Sequence, residues 1–159
     1  MESKKVFTRT MLMEECGVTN VTDTEFERYV FKKKANKWAL TLTKPTLMFQ
    51  FNTSKKTGQK KLGYIGLTVS LYNYKTKKYV NMPFSKLRWI WEYGECPMGF
   101  VLDHIDTNPL NNDLSNLRLL TERQNQDNRK VWKQFTIEEV KGKSIDEISQ
   151  EIYKRIANS

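Results

Sequence analysis

Histidine is nearly absent from this chain: there is one imidazole, His104, in 159 residues. Cysteine is scarce as well. Cys16 and Cys96 lie far apart with no C-x-x-C spacing, which argues against a four-ligand structural zinc and fits reduced thiols. No apolar run approaches the ~18 residues of a membrane span. The N-terminal MESKKVFTRT lacks the apolar segment of a signal peptide. The expectation is a cytoplasmic chain with no membrane partner. Hydrophobic residues make up 38% and mean hydropathy is −0.67, so the core is modest and the surface polar. Acidic residues are outnumbered, 18 Asp+Glu against 27 Lys+Arg, for a net charge of +9. A polyanion is the implied partner, although the balance alone does not separate nucleic acid from an acidic membrane face. The length permits one domain with appendages or two very small ones, and no internal repeat or low-complexity tract divides it.

What the chain does have is one stretch, residues 100–130, that gathers oxygen and nitrogen donors around its single imidazole. Asp103 precedes His104, and asparagines follow at 108, 111, 112, 116, 125 and 128. Phe100-Val101-Leu102 reads as a short strand leading into Asp103-His104-Ile105. Asp106-Thr107-Asn108-Pro109 is turn chemistry, and Asn111-Asn112-Asp113 continues the loop. Asp106, Asn108, Asn111 and Asn112 are expected as turn formers. Leu117, Leu119 and Leu120 suggest a second strand. Thr121 and Gln124 have capping-box spacing, which predicts a helix from about Glu122 to Lys133 with Asn125, Asn128 and Trp132 on one side.

Asp-His, Asn-Asn, Asn-Leu-Arg-Leu-Leu-Thr and Gln-Asn-Gln-Asp-Asn, in this order and spacing, resemble the HNH nuclease motif with its ββα-metal core, most of all that of phage homing and nicking endonucleases. Lys86-Leu87-Arg88-Trp89-Ile90-Trp91-Glu92-Tyr93-Gly94 and the Pro97-Met98-Gly99 turn resemble the helix and loop that precede it. The match covers about half the chain, residues 62–133. The resemblance implies His104 as general base, Asp103 and Asn125 as ligands of one divalent cation, and Asn116 as the residue that orients the loop and the His104 ring. An asparagine stands where the commonest pattern has a final histidine, with Asn128 as its rival. An all-oxygen pair favours Mg²⁺ or Mn²⁺ over zinc. The same likeness implies 5′-phosphate and 3′-hydroxyl ends, and a site of action in the host cell if the chain is phage-encoded.

Those residue types suit the chemistry. Hydrolysing a phosphodiester needs a deprotonated water and positive charge near the developing negative charge. A neutral imidazole takes a proton near pH 7. A lone histidine is ordinarily a packed or surface residue, and it is the surrounding pattern that singles out His104. Asn125 and Asn128 have a competing reading as solvated helix positions.

The remainder reads as follows. Met11-Leu12-Met13 begins a short helix ended by Gly17. Thr22-Asp23-Thr24-Glu25 caps a helix through Phe26, Tyr29 and Val30 to about Lys33. Lys32, Lys33, Lys34 and Lys37 form a basic cluster beside Trp38. ALTLT and LMFQF, split by Pro45, are two strands. Tyr64 to Leu71 alternates cleanly and is the clearest strand, with Tyr79 to Met82 as its hairpin partner. Two basic turns bracket it: Lys55, Lys56, Lys60 and Lys61 on one, Lys75, Lys77 and Lys78 on the other. With Arg123 and Arg129 these are the candidate contacts to a phosphate backbone, against a competing reading as solvated loops. Ser85 to Tyr93 is a helix packing under the polar loop. Gln134 to Gly142 reads as a linker, and Ser144 caps a final helix striped by Ile145, Ile148, Ile152 and Ile156.

The expectation is therefore an α+β protein in three parts: a DNA-contacting region at 1–61, a ββα-metal nuclease core at 62–133, and a linker with C-terminal helix at 134–159. Its partner is double-stranded DNA and its cofactor Mg²⁺ or Mn²⁺. Monomer and homodimer are equally open. The competing functions are a catalytically silent DNA-binding module and a restriction-type dimer making double-strand breaks.

Overall fold

The alternation of Ile65, Leu67, Val69 and Leu71 marks the middle of a long strand. In the computed structural model that strand is β5 (Lys60–Asn73), flanked antiparallel by β4 (Thr46–Thr53) and β6 (Lys78–Pro83). The structure describes residues 7–22, 28–33, 40–126 and 130–158. All four alternating side chains are buried on one face. The register slips by one residue where Gln50 faces Tyr64 and Phe51 faces Leu62. That bulge at Gly63 turns Leu62 onto the buried face, where strict alternation would have put Lys61. A Cβ at Gly63 would lie 2.2 Å from the Asn52 amide nitrogen, so a larger residue there would push that exposed side chain aside.

Helix α2 (Phe84–Tyr93) follows β6 directly and buries Phe84, Leu87 and Ile90. It stops at Gly94, whose φ of +95° favours glycine and whose N–H reaches the Ile90 carbonyl at 2.8 Å. Helix α1 (Arg9–Glu14), capped by the Thr8 hydroxyl, leads into a second sheet ordered β1 (Val18–Val21), β2 (Val30–Lys33), β3 (Leu40–Thr43). The helix read through Val30 to Lys33 is corrected here. Those residues form the middle strand, paired on both sides, and the short helical spacing gave way to cross-strand pairing of Val30 and Phe31. Residues 23–27, and Lys34, Lys37 and Trp38, lie outside the described residues.

Beyond α2, β7 (Phe100–His104) pairs antiparallel with β8 (Leu117–Thr121), and α3 (Glu122–Gln126) follows. The capping box forms: Thr121 Oγ1 accepts from Gln124 N at 3.2 Å, and Gln124 Oε1 accepts from Thr121 N at 3.0 Å. The helix does not run to Lys133 as its pattern suggested. A 3₁₀ turn, Val131–Gln134, stands in its place and carries Trp132 into the core. The expected linker is also corrected. Phe135 and Val140 are fully buried, and α4 (Ile137–Val140) occupies its middle. The Thr136–Glu139 capping box and the Ile137–Val140 spacing mark this short helix locally, and the linker reading overlooked them. Helix α5 (Ile145–Ala157) begins on the Ser144–Glu147 capping box and buries Ile148 and Ile152.

The fold is thus α+β. One apolar cluster unites distant parts of the chain, including Leu12, Val30, Leu71, Leu87, Leu110, Phe135 and Ile152. Among the described residues, no helix is long and apolar enough to cross a membrane.

Candidate active site

The β7–β8 pairing fixes where the donors stand. Asp103 is opposite Arg118, and His104 is opposite Leu117. Neighbours on a strand face opposite sides, so the two functional candidates of β7 enter different surroundings. Asp103 turns inward and is 2% exposed. Its Oδ2 accepts from Arg118 Nε at 2.9 Å, and its Oδ1 lies 3.8 Å from Lys130 Nζ. His104 turns towards a cleft of about 490 Å³ between β5 and the β7–β8 pair.

At His104, Nε2 lies 2.8 Å from Asn112 Oδ1. An amide oxygen only accepts, so this contact puts the ring proton on Nε2 and leaves Nδ1 with its lone pair. Burial pushes the ring below its ordinary value of 6.5. The Asn112 bond opposes that shift, the Lys130 ammonium adds to it, and Asp106 and Asp103 oppose it. The net direction is a neutral imidazole at pH 7.

The loop after His104 is a network centred on Asp106. Its carboxylate accepts from Asn108 N, Asn116 Nδ2, Asn111 Nδ2 and the Tyr153 hydroxyl, at 2.8 to 3.0 Å. Burial alone would raise this carboxyl, but those bonds together outweigh it and hold the group below its ordinary value. Asn116 also accepts from Asp106 N at 2.9 Å and donates to the Asn111 carbonyl at 2.9 Å. Thr107, with φ +66°, sits where β-branched residues are rarely found. Its flanking residues are pinned by that network, and Thr107 N itself reaches the His104 carbonyl at 2.9 Å.

Asn125, on α3, lines the same cleft as His104, together with Asn112, Lys130, Trp132 and Lys133. Asn125 Oδ1, Asn112 Nδ2 and Trp132 Nε1 are buried without a hydrogen-bond partner among the described residues. Buried polar groups are normally paired, so three orphans around one cleft mark a place shaped for a polar ligand. Of the three, Asn125 Oδ1 is an acceptor that suits a hard cation, whereas Asn112 Nδ2 and Trp132 Nε1 are N–H donors that suit an anionic oxygen. Among the described residues, no group of three His, Cys, Asp or Glu side chains gathers to hold a metal. An Asp/Asn pair is a smaller set than that, and Asn125 Oδ1 is its orphaned member.

The structure therefore brings His104 and Asn125 to one cleft, and joins Asp103 to it through Lys130. It keeps Asn116 in the loop network, where its recorded side-chain bonds go to Asp106 and Asn111. The ring partner is Asn112, a turn former by the sequence pattern. Sequence reasoning also missed Arg118, Lys130 and Tyr153. Strand register could have revealed Arg118, since pairing His104 with Leu117 sets it opposite Asp103. No local signal marks Lys130 or Tyr153. Lys55, Lys56, Lys60, Lys75, Lys77, Lys78 and Arg123 are exposed. Lys61 is exposed too, with Nζ on Gln134 Oε1 at 2.8 Å. Arg129 and Asn128 lie outside the described residues. A larger cleft of about 820 Å³ lies between α4 and α5. Its lining sets five carboxylates, Glu138, Glu139, Asp146, Glu147 and Glu151, against Lys143 and Lys154, so it disfavours an anionic ester.

A strand pair with a polar loop, a lone imidazole and a following amide-bearing helix defines a class of site, and the comparisons agree with it. Residues 86–127, from α2 through α3, match the family described as HNH endonuclease. At the level of the family, the resemblance read from the motif holds. Over 49 residues the chain is 47% identical to Protein 3.8 of Escherichia phage T7. The aligned stretch is 30% of this chain and 40% of that protein, so the chain spans well under half the length of that relative. No solved structure matches the chain.

Proposed function

We propose that the chain is a divalent-cation-dependent DNA endonuclease of the homing or nicking type, with β7, β8 and α3 as a ββα-metal core. The observation that carries this is the His104 ring, its Nε2 2.8 Å from Asn112 Oδ1, on a cleft with orphaned polar atoms and two lysines. His104 Nδ1 takes the proton of the attacking water. A positioned base of this kind contributes on the order of 10²- to 10⁴-fold in rate. Asn112 keeps the ring in the tautomer that can accept. Asp103 and Asn125 would hold Mg²⁺ or Mn²⁺, which supplies positive charge for the leaving oxygen. Asn116 and Asp106 hold the loop that carries Asn112.

The two lysine-bearing turns lie at opposite ends of β5, whose 14 residues reach roughly 46 Å at ~3.3 Å each. That length matches roughly 13 base pairs of duplex at ~3.4 Å per pair. Lys55, Lys56, Lys60 and Lys61 stand near the cleft end of the strand, and Lys75, Lys77 and Lys78 at the far end. Duplex DNA laid along β5 would meet both.

The test is relaxation of supercoiled plasmid with Mg²⁺ or Mn²⁺. The parent should nick, and His104→Ala should lose at least about a hundredfold in rate. Equal rates would remove His104 from the mechanism. Linear product in place of nicked circles would favour a dimer that cuts both strands. One observation favours a silent binding module: Asp103 is already engaged by Arg118 and Lys130. That reading requires DNA retention with no relaxation in any divalent ion.

A further inference from the structure

Among the described residues, Arg118 and Lys130 both meet Asp103, and they are not equivalent. Arg118 Nε meets Oδ2 at 2.9 Å, the length of a charge-assisted hydrogen bond. Lys130 Nζ stands 3.8 Å from Oδ1, too far for such a bond and near enough for attraction. A carboxylate 2% exposed needs neutralising charge around it, so both matter to the folded state without added ions. Their chemistry differs too. A guanidinium is a rigid fork, whereas an ammonium is a point charge on a flexible stem that can swing aside. Lys130 is the member of the pair that also lines the cleft with His104 and Asn125.

We propose that Lys130 is a built-in placeholder for the divalent cation: its ammonium neutralises Asp103 Oδ1 until the ion displaces it, and so sets how much ion the site requires. This rests on the reading of Asp103 and Asn125 as the cation's ligands. Arg118 stays on Oδ2 throughout, and the ion takes the place of Lys130 at Oδ1, with Asn125 Oδ1 as its second protein ligand. Occupancy then depends on a competition between a tethered monovalent charge and a free divalent one, and the pocket remains neutralised in either state.

The experiment is titration of the full-length chain with Mn²⁺ without nucleic acid, reading free Mn²⁺ by electron paramagnetic resonance. Lys130→Met and Lys130→Gln should bind Mn²⁺ at least about tenfold more tightly than the parent, the scale of one partly buried ion pair removed. Lys130→Arg should not tighten binding. Lys133→Met should leave binding unchanged, because Lys133 lines the same cleft but has no recorded contact with Asp103. Parent-like or weaker binding by both neutral Lys130 variants overturns the placeholder. Equal tightening by Lys133→Met does so too, since it would reduce the effect to general cleft charge. Asp103→Asn separates the two levels of argument. If it abolishes binding while the Lys130 variants match the parent, the ligand assignment stands and the placeholder falls. If it leaves binding unchanged, the ligand assignment falls and takes the placeholder with it.

Discussion

Two regions of this molecule are held by opposite means. Around β5 the chain is fixed by apolar burial: Ile65, Leu67, Val69 and Leu71 meet Leu87, Ile90, Ile148 and Ile152 in one cluster. The loop between β7 and β8 has one such anchor, Leu110, and otherwise hangs on a single carboxylate and its amide neighbours. The first kind of support is non-directional and tolerates small adjustments. The second is directional, so it fixes atoms as well as chain paths. A base that must keep one nitrogen protonated and the other open benefits from the second kind. The site is built where hydrogen bonds, rather than packing, set the geometry.

The largest expected effect isolates chemistry from support. His104→Ala should cost at least about a hundredfold in nicking rate, with a melting temperature close to the parent's. A large drop in melting temperature would show that the ring also holds the loop, and the division between the two regions would fail. The opposite case is Ile148→Ala, in the fully buried stripe of α5. It should lose about 2–5 kcal/mol of stability by denaturant unfolding. Its nicking rate, per folded molecule at low temperature, should stay within a few-fold of the parent's. A rate loss as large as that of His104→Ala would show that core packing reaches the imidazole directly.

These cases also explain what could be read from the sequence. The β5 alternation, the α2 helix with its Gly94 stop and the α5 stripe were legible because burial imposes a period on the residues. The Thr121–Gln124 and Ser144–Glu147 caps were legible because their chemistry is local. Family resemblance supplied His104, Asp103, Asn116 and Asn125, and the structure sets two of these on one cleft. Asn112 was visible as a residue but not as a partner, since an amide eight positions along a loop gives no periodic sign of where it turns. Lys130 and Tyr153 are placed by chain paths beyond the motif. The 3₁₀ turn was hidden because Val131, Trp132 and Phe135 keep helical spacing, which does not show where a helix stops.

An intermediate effect lies at the joint between the regions. Asn116 spends its amide on Asp106 and on the Asn111 carbonyl. Asn116→Ala leaves those groups unpaired and should cost about 1–3 kcal/mol. Because the loop also carries Asn112, the nicking rate should fall by roughly tenfold or more, the scale of a small misplacement at a reacting group. Asn116→Asp keeps one acceptor but places a second carboxylate beside Asp106, and should not rescue. Loss of stability with an unchanged rate would mean that the His104 tautomer is held without this network.

The smallest effect is the most specific. The Tyr153 hydroxyl reaches from α5 to Asp106 Oδ2 at 2.8 Å, one of the few polar ties between the burial-held body and the loop. The Asp106 carboxyl titrates below its ordinary value of 3.8 because its hydrogen-bond donors together outweigh burial. A depressed folded value means that the unfolded chain binds the proton more readily. The stability contributed by Asp106 is therefore complete above pH 3.8 and is lost as pH falls through the lower folded value. Tyr153→Phe removes one donor and moves the folded value back towards 3.8, narrowing that acid-sensitive window. At pH 7 the partly exposed bond should be worth no more than about 1 kcal/mol. Melting temperatures of the parent, Tyr153→Phe and Asp106→Asn, taken from pH 7 down to pH 3, read this directly. Asp106→Asn should start lower at pH 7 and lose the Asp106 contribution to the slope, with Tyr153→Phe between it and the parent. Parallel curves for all three would show that the α5 tie carries no electrostatic load, and that the loop is coupled to the body through Leu110 alone.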